Sequence, residues 1–324
     1  MRAVFFGTPA IAVPSLRALA QHVEVVGVVT QPDRPAGRGR KLRVPEVKQA
    51  ALELGIDVFQ PERVRDGALE QWLRERSLDF ALVLAYGRIL PPGVLAAPRL
   101  GCLNLHASLL PAYRGAAPIQ WAILRGETET GMSLMQMDAG LDTGPVFARR
   151  SIPIGPDETG GELTERLGAL AASMVGDELL RAVRGELPAE PQDSSRATHA
   201  PPIERSDCVI DWSEPADAVH DRVRALLPRP SAFTTVSGKA LRILGTARFT
   251  GTAPELAPGE VCFVKPRVLV GTGTGPIELL RAQLEGRREL SALDLVNGRV
   301  LESGTVLGRE HLGLRSTRKQ EARG

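Results

Sequence analysis

The chain has 324 residues, 43% of them hydrophobic and 24% charged, with 40 Lys and Arg against 38 Asp and Glu for a formal net charge of +2. That length implies about two domains, and those proportions exclude a disordered chain and a heptad-dominated coiled coil. A charge so near zero means that a polyanion has to be met by a local cluster, not by the molecule as a whole.

Residues 3–6 form a short apolar run closed by Gly7, Thr8 and Pro9, a mixed stretch follows to Ala20, and 23–29 turns apolar again. This order predicts strand, turn, helix and strand. Further apolar runs at 79–85 and 102–105 are separated by helix-like or Gly- and Pro-punctuated stretches, which predicts parallel pairing through crossovers. The fold expected for residues 1–188 is therefore α/β, a Rossmann-like, mostly parallel sheet with helices on both faces. In such a sheet ligands lie beyond the carboxyl ends of the strands, so Gly7, residues 86–90 and residues 105–111 are expected to converge.

From 159 to 184, Leu163, Leu167, Leu170, Met174 and Leu180 recur at helical spacing until Gly185, which predicts one long helix. Residues 189–206 hold Pro191, Pro201 and Pro202 among polar residues, the composition of an inter-domain linker. A helix is expected at about 216–226. Short runs at Phe233–Val236, 241–244, Val261–Val264, 268–270 and 277–280 then predict a smaller C-terminal β-barrel, OB-like, over 207–312. A basic tail, 313–324, ends the chain. Gly271-Thr272-Gly273-Thr274-Gly275 lies between two of these runs and reads as a hairpin loop, not a phosphate cradle.

The densest polar chemistry lies in Asn104-Leu105-His106-Ala107-Ser108-Leu109-Leu110-Pro111. Strand alternation places Asn104 and His106 on one face and Leu105 on the other. Two such donors suit an acyl-transfer site, bonding an oxygen that becomes negative as an amine attacks a carbonyl carbon. A satisfied histidine at a strand end is the other reading. Met137-Asp138-Ala139-Gly140-Leu141-Asp142-Thr143-Gly144 makes a tight loop whose Asp142 can reach a histidine on a neighbouring strand. A carboxylate there favours the imidazolium and accepts the amine's proton, directly or through a water. The alternative is that Asp138 or Asp142 bonds its own turn.

Asn104-x-His106 with Ser108-Leu109-Leu110-Pro111, then Tyr113-Arg114-Gly115-Ala116-Ala117-Pro118-Ile119 and Asp142-Thr143-Gly144, resemble the motifs of folate-dependent formyltransferases. The resemblance extends to Gly7-Thr8-Pro9, the 31–39 segment, Ala85-Tyr86-Gly87 and Ile210-Asp211-Trp212, so it covers nearly the whole chain. It implies transfer of the formyl group of 10-formyltetrahydrofolate to an amine, with Asn104, His106 and Asp142 as the catalytic trio and no metal. It also implies a folate site walled by Tyr86, Arg88, Ile89 and Leu90 and by Ser108, Leu109, Leu110 and Pro111, although core packing is the ordinary role of each of these leucines taken singly. Ala112, Arg229 and the pair Ala10-Ile11 depart from the family's usual residues.

Residues 34–48 hold Arg34, Arg38, Arg40, Lys41, Arg43 and Lys48 against Glu46 alone, in a segment kept pliable by Gly37 and Gly39. A solvated basic loop is the plain reading. The resemblance implies instead that Arg34, Arg38, Arg40, Lys41 and Arg43 contact an RNA acceptor, the initiator methionyl-tRNA used in translation initiation. An amino sugar on a nucleotide or glycinamide ribonucleotide is the rival acceptor, and a noncatalytic RNA-binding protein on this scaffold is the rival class. Three scattered cysteines (Cys102, Cys208 and Cys262), scattered histidines and no apolar run of about 18 residues complete the expectation of a cytoplasmic monomer without metal or membrane contact.

Overall fold

The computed structural model describes residues 1–36 and 41–308, so Arg38, Arg40 and the basic tail lie outside the described residues, and Lys41 enters only through its backbone. By its internal contacts the chain divides into two units. The first comprises Met1–Pro118, Glu129–Pro153 and Leu163–Pro201; the second comprises Ile119–Thr128, Ile154–Glu162 and the chain from Pro202 onward.

In chain order the first unit contains β1 (Arg2–Gly7), α1 (Val13–His22), β2 (Glu24–Val29), β3 (Arg34–Ala36), β4 (Lys41–Arg43), α2 (Glu46–Glu53), β5 (Val58–Phe59), α3 (Ala68–Arg74), β6 (Phe80–Leu84), α4 (Pro92–Leu95), β7 (Cys102–His106) and β8 (Arg114–Gly115). After α5 (Pro118–Leu124) come β9 (Glu129–Gln136), β10 (Val146–Pro153), α6 (Gly160–Met174), α7 (Leu180–Val183) and β11 (His199–Ala200).

A seven-stranded sheet runs β10-β9-β7-β6-β1-β2-β5. From β5 to β7 the pairing is parallel, as the apolar runs predict. Such strands are buried on both faces and so lose the polar alternation of an exposed sheet. Val4, Phe6, Ala81 and Val83 pack with Leu69 and Leu73 of α3, while Phe5 and Leu82, which alternate to the opposite face, are fully buried as well. The edge formed by β9 and β10 is antiparallel, β9 to β7 and β10 to β9. Its strands lack continuous apolar runs, ETGMSLMQ and VFARRSIP, because β10 lies at the rim with polar side chains half out of the core.

The helix expected over 159–184 forms as α6 and α7 joined by one π-helical turn, Val175–Leu179, and it stops at Gly185 with φ 77°. Residues 189–206 differ from the expected linker. Glu190 bridges Val146, Ser194–Arg196 makes a 3-10 turn capped by Asp193, and β11 pairs in parallel with β8. A polar, Pro-bearing stretch needs no apolar face to be held, because backbone groups and the side chains of Gln192 and Thr198 hold it.

The second unit contains α8 (Ala216–Ala225), β12 (Phe233–Val236), β13 (Lys239–Arg248), β14 (Val261–Val264), β15 (Arg267–Thr272), β16 (Gly275–Leu284), β17 (Glu289–Ser291) and α9 (Ala292–Asn297). The strands form an antiparallel sheet, β12-β13-β16-β15-β14 with β17 on β16, which curls at the irregular registers around Gly245. The 271–275 glycines turn β15 into β16, as the sequence predicts. Among the described residues no helix is long and apolar enough to cross a membrane.

Candidate active site

β7 lies between β6 and β9, with Asn104 opposite Val83 and Met135 and His106 opposite Ser133. Both side chains are on one face of the strand and both residues are buried. His106 Nε2 is 2.9 Å from the Tyr113 carbonyl oxygen. A carbonyl only accepts, so this nitrogen carries the proton and the ring presents its other edge, Nδ1, toward Asp142 Oδ2 at 3.6 Å. That separation is longer than a hydrogen bond but within the range of a charge pair. The Asn104 carboxamide makes no hydrogen bond among the described residues. One carboxylate therefore faces the imidazole, and the Asn104 carboxamide beside it on the strand is unspent.

Because β9 is antiparallel to β7, its end pairs beside Leu103, and the 137–145 loop has to fold back to bring Asp142 to His106. Asp142 adopts φ 53° within that reversal. A Cβ on Gly144 would lie 2.0 Å from the Gln136 carbonyl oxygen, so this glycine permits the close return. Asp138 bonds its own turn, accepting from Gly140 N at 3.0 Å and Thr143 Oγ1 at 2.7 Å. Asp142 leaves its turn: its Oδ2 accepts from Gly115 N at 2.9 Å. Gln192 donates to the carbonyl oxygens of Asp142 at 2.8 Å and Gly144 at 2.7 Å.

The loops expected around the site divide into two groups. Thr8 Oγ1 and Gln31 Nε2 both donate to the Tyr86 carbonyl at 3.1 Å, and Arg88 Nε donates to Gln31 Oε1 at 2.8 Å, so the ends of β1, β2 and β6 do converge. Tyr86 itself turns inward. Its ring stands edge-on to Phe6, its hydroxyl has no partner among the described residues, and burial pushes its pKa up to about 12. Leu90 is buried in the same cluster, whereas Ile89 beside it is 65% exposed.

On the β7 side, Ser133 Oγ donates to the Ser108 carbonyl and accepts from Leu110 N, and Arg149 Nε donates to the Leu110 carbonyl at 2.7 Å. Leu110 packs with Met135 and Val146, and Leu109 lies over Gly131, so both leucines rest on β9 and β10. Ser108 Oγ donates to the Ala112 carbonyl and so closes the turn that contains Pro111.

β3 and β4 pair with Arg34 opposite Arg43. Arg43 is bonded to Glu46 at 2.6 Å, and Lys48 to Asp33 at 2.8 Å, where Lys48 and then Gln60 hold the Asp33 carboxyl below the usual carboxylate range. Both arginines line a cleft of about 550 Å³ with Thr8, Pro9, Gln31 and Arg88; Asn104, His106 and Asp142 lie outside that lining.

Residues 1–177 match the formyl transferase family, and residues 202–300 match the formyl transferase C-terminal domain. The chain belongs to the formyl transferase family. This formyl transferase is 57% identical over 314 residues to the methionyl-tRNA formyltransferase of Sorangium cellulosum (strain So ce56), covering 95% of this chain and 100% of that one. It is 48% identical over 320 residues to the methionyl-tRNA formyltransferase of Synechococcus sp. (strain JA-3-3Ab), covering 94% and 97%. The N-formyltransferase from Helicobacter canadensis, solved in complex with folinic acid and dTDP-3-aminofucose, shares the fold with a TM-score of 0.65 at 17% identity, over 86% of this chain and 98% of that one.

Four groups at the site are absent from the sequence reading: the Tyr113 carbonyl, Ser133, Arg149 on the rim strand β10, and Gln192. The first is a backbone atom and carries no residue signal. Ser133 sits in a strand without an apolar run, and Gln192 in a stretch whose composition reads as linker.

Proposed function

We propose that the chain transfers the formyl group of 10-formyltetrahydrofolate to the α-amine of methionine on initiator tRNA, in the cytoplasm, for translation initiation. The observation that carries this reading is the unspent Asn104 carboxamide, two residues from His106, with a carboxylate 3.6 Å from the imidazole. The donor set fits an acyl oxygen, which needs hydrogen-bond donors placed before charge develops. The exposed Ile89 offers an apolar surface for a flat heterocycle. The names of the relatives supply the acceptor.

10-Formyltetrahydrofolate supplies the formyl carbon. As the methionine amine bonds to that carbon, the formyl oxygen gains negative charge, and Asn104 Nδ2 and His106 Nδ1 donate to it. With Nε2 committed to Tyr113, the imidazolium is the form that presents Nδ1–H. Asp142 accepts the proton lost by the amine, directly or through a water, while Gly115 N keeps its carboxylate aimed. Cleavage of the old carbon–nitrogen bond, with a proton delivered to the departing nitrogen, releases tetrahydrofolate. Arg34 and Arg43, with Arg38, Arg40 and Lys41 of the same segment, meet acceptor-stem phosphates. Tyr86–Leu90 and Ser108–Pro111 frame the folate through backbone groups and Ile89.

Incubating the protein with 10-formyltetrahydrofolate and either methionyl initiator tRNA or nucleotide-linked amino sugars tests the reading. Formylmethionyl-tRNA is the expected product. A formylated sugar alone, or tRNA bound without any transfer, overturns it.

A further inference from the structure

Gln192 uses its whole carboxamide. Its Oε1 accepts two hydrogen bonds from Arg114, from Nε at 3.1 Å and Nη2 at 2.8 Å, and its Nε2 donates to the carbonyl oxygens of Asp142 and Gly144 at 2.8 and 2.7 Å. Two donors and two lone pairs are all that a glutamine has, and no other neutral side chain of its reach offers both. The amide orientation is forced as well, since a flipped group would set N–H against guanidinium and oxygen against two carbonyls.

Arg114 is itself buried, and its backbone N–H is fixed to the Thr198 carbonyl at 2.9 Å. The tripeptide 113–115 thus reaches the site by three routes. Tyr113 O fixes the His106 ring, Gly115 N holds the Asp142 carboxylate, and Arg114 grips, through Gln192, the backbone that carries that carboxylate. Gly115 pairs with Ala200, and a Cβ there would come 2.5 Å from the Ala200 carbonyl oxygen, so β8 and β11 are closed on each other.

We propose that Gln192, with Arg114, is a positioning residue for Asp142: it clamps the left-handed return of the 137–145 loop so that the carboxylate faces His106 Nδ1. The inference rests on the reading of Asp142 as the proton acceptor. It assigns a task in the reaction to the 189–206 segment.

The test is formyl transfer by Gln192→Glu, Gln192→Met and each of these combined with Asp142→Asn, with a crystal structure of Gln192→Glu. Gln192→Glu keeps the partner of Arg114 but sets a carboxylate against the two loop carbonyls, so it separates the clamp from the anchoring of the 189–206 segment. Misplacing a catalytic group by about 1 Å costs on the order of 10²-fold, so kcat should fall roughly ten- to a hundredfold in both variants, with KM for folate and acceptor within about threefold. On Asp142→Asn the same changes should cost less than about threefold more, because the group they position is already gone.

An unchanged kcat, an equal loss in the Asp142→Asn background, or a rise in KM alone overturns the proposal. So does a Gln192→Glu structure with Asp142 still bonded to Gly115 N. A wild-type protein inactive on methionyl-tRNA counts against the substrate reading instead, and the crystal structure then decides the clamp by itself.

Discussion

The tip of β7 and the β3–β4 hairpin carry the two halves of the proposed activity, and they are built in opposite ways. At β7 the reacting groups are buried or half-buried and held in place: His106 by the Tyr113 carbonyl, Asp142 by Gly115 N, and the turn at Ser108 by the Ser133 hydroxyl. In the hairpin Arg34 and Arg43 are exposed and face each other across the strands, an arrangement of like charges that costs a few tenths of a kcal/mol to about 1 kcal/mol. Glu46 offsets part of that cost, and a polyanion would offset the rest. Charge development at one carbon has to be met by donors already in place, whereas a phosphate backbone is met by cations that reach and adjust. Preset geometry therefore suits the chemistry and exposed charge the recognition, and substitutions in the two regions should separate kcat from KM.

Asn104→Ala should give the largest effect. Removing one oxyanion donor typically costs about 10²- to 10³-fold in kcat, and because the donation strengthens only as charge develops, KM for either substrate should move little. Single-turnover formylation measured beside tetrahydrofolate binding checks this. A loss smaller than about fivefold, or one carried wholly by KM, would show that the β7 tip binds and does not catalyse.

Much of this first region was legible in the residues themselves. The parallel strands announced themselves as apolar runs because both their faces are covered, and alternation alone put Asn104 and His106 on one wall. What the residues did not carry was the return path of the 137–145 loop, which depends on β9 running antiparallel to β7. Gln192 was hidden for the same reason. Its partners lie 78, 50 and 48 positions away, at a separation where composition says nothing. The leucines of the 108–111 turn were legible as apolar but not as to which side they face, and the structure sets Leu109 and Leu110 on β9 and β10.

Arg34→Ala sharpens the other half of the comparison. Arg34 is exposed and lines the cleft beside Thr8 and Gln31. If it neutralises one phosphate, the slope of log affinity for tRNA against log salt should become shallower by roughly 0.7 to 0.9, with KM for tRNA raised severalfold at low salt. Folate binding and kcat should stay at their wild-type values. A salt slope identical to wild type would remove Arg34 from the RNA contact, and a fall in kcat would join the hairpin to the chemistry.

Tyr86→Phe is expected to have the smallest effect, and it tests whether a residue beside both regions belongs to either. Its carbonyl gathers Thr8 and Gln31 at the strand ends, but its hydroxyl is buried without a partner among the described residues. A buried, unsatisfied polar atom costs about 1–3 kcal/mol of desolvation, so deleting it should leave stability unchanged or raise it by up to about 1 kcal/mol once the lost packing is counted. Burial also holds this phenol neutral through the working pH range, so the pH profile should not move. Chemical denaturation and the KM for 10-formyltetrahydrofolate check both points together. A KM that rises severalfold would mean that the hydroxyl turns toward the folate on binding, and would place the Tyr86 side chain in the site, where the proposed mechanism uses only its backbone.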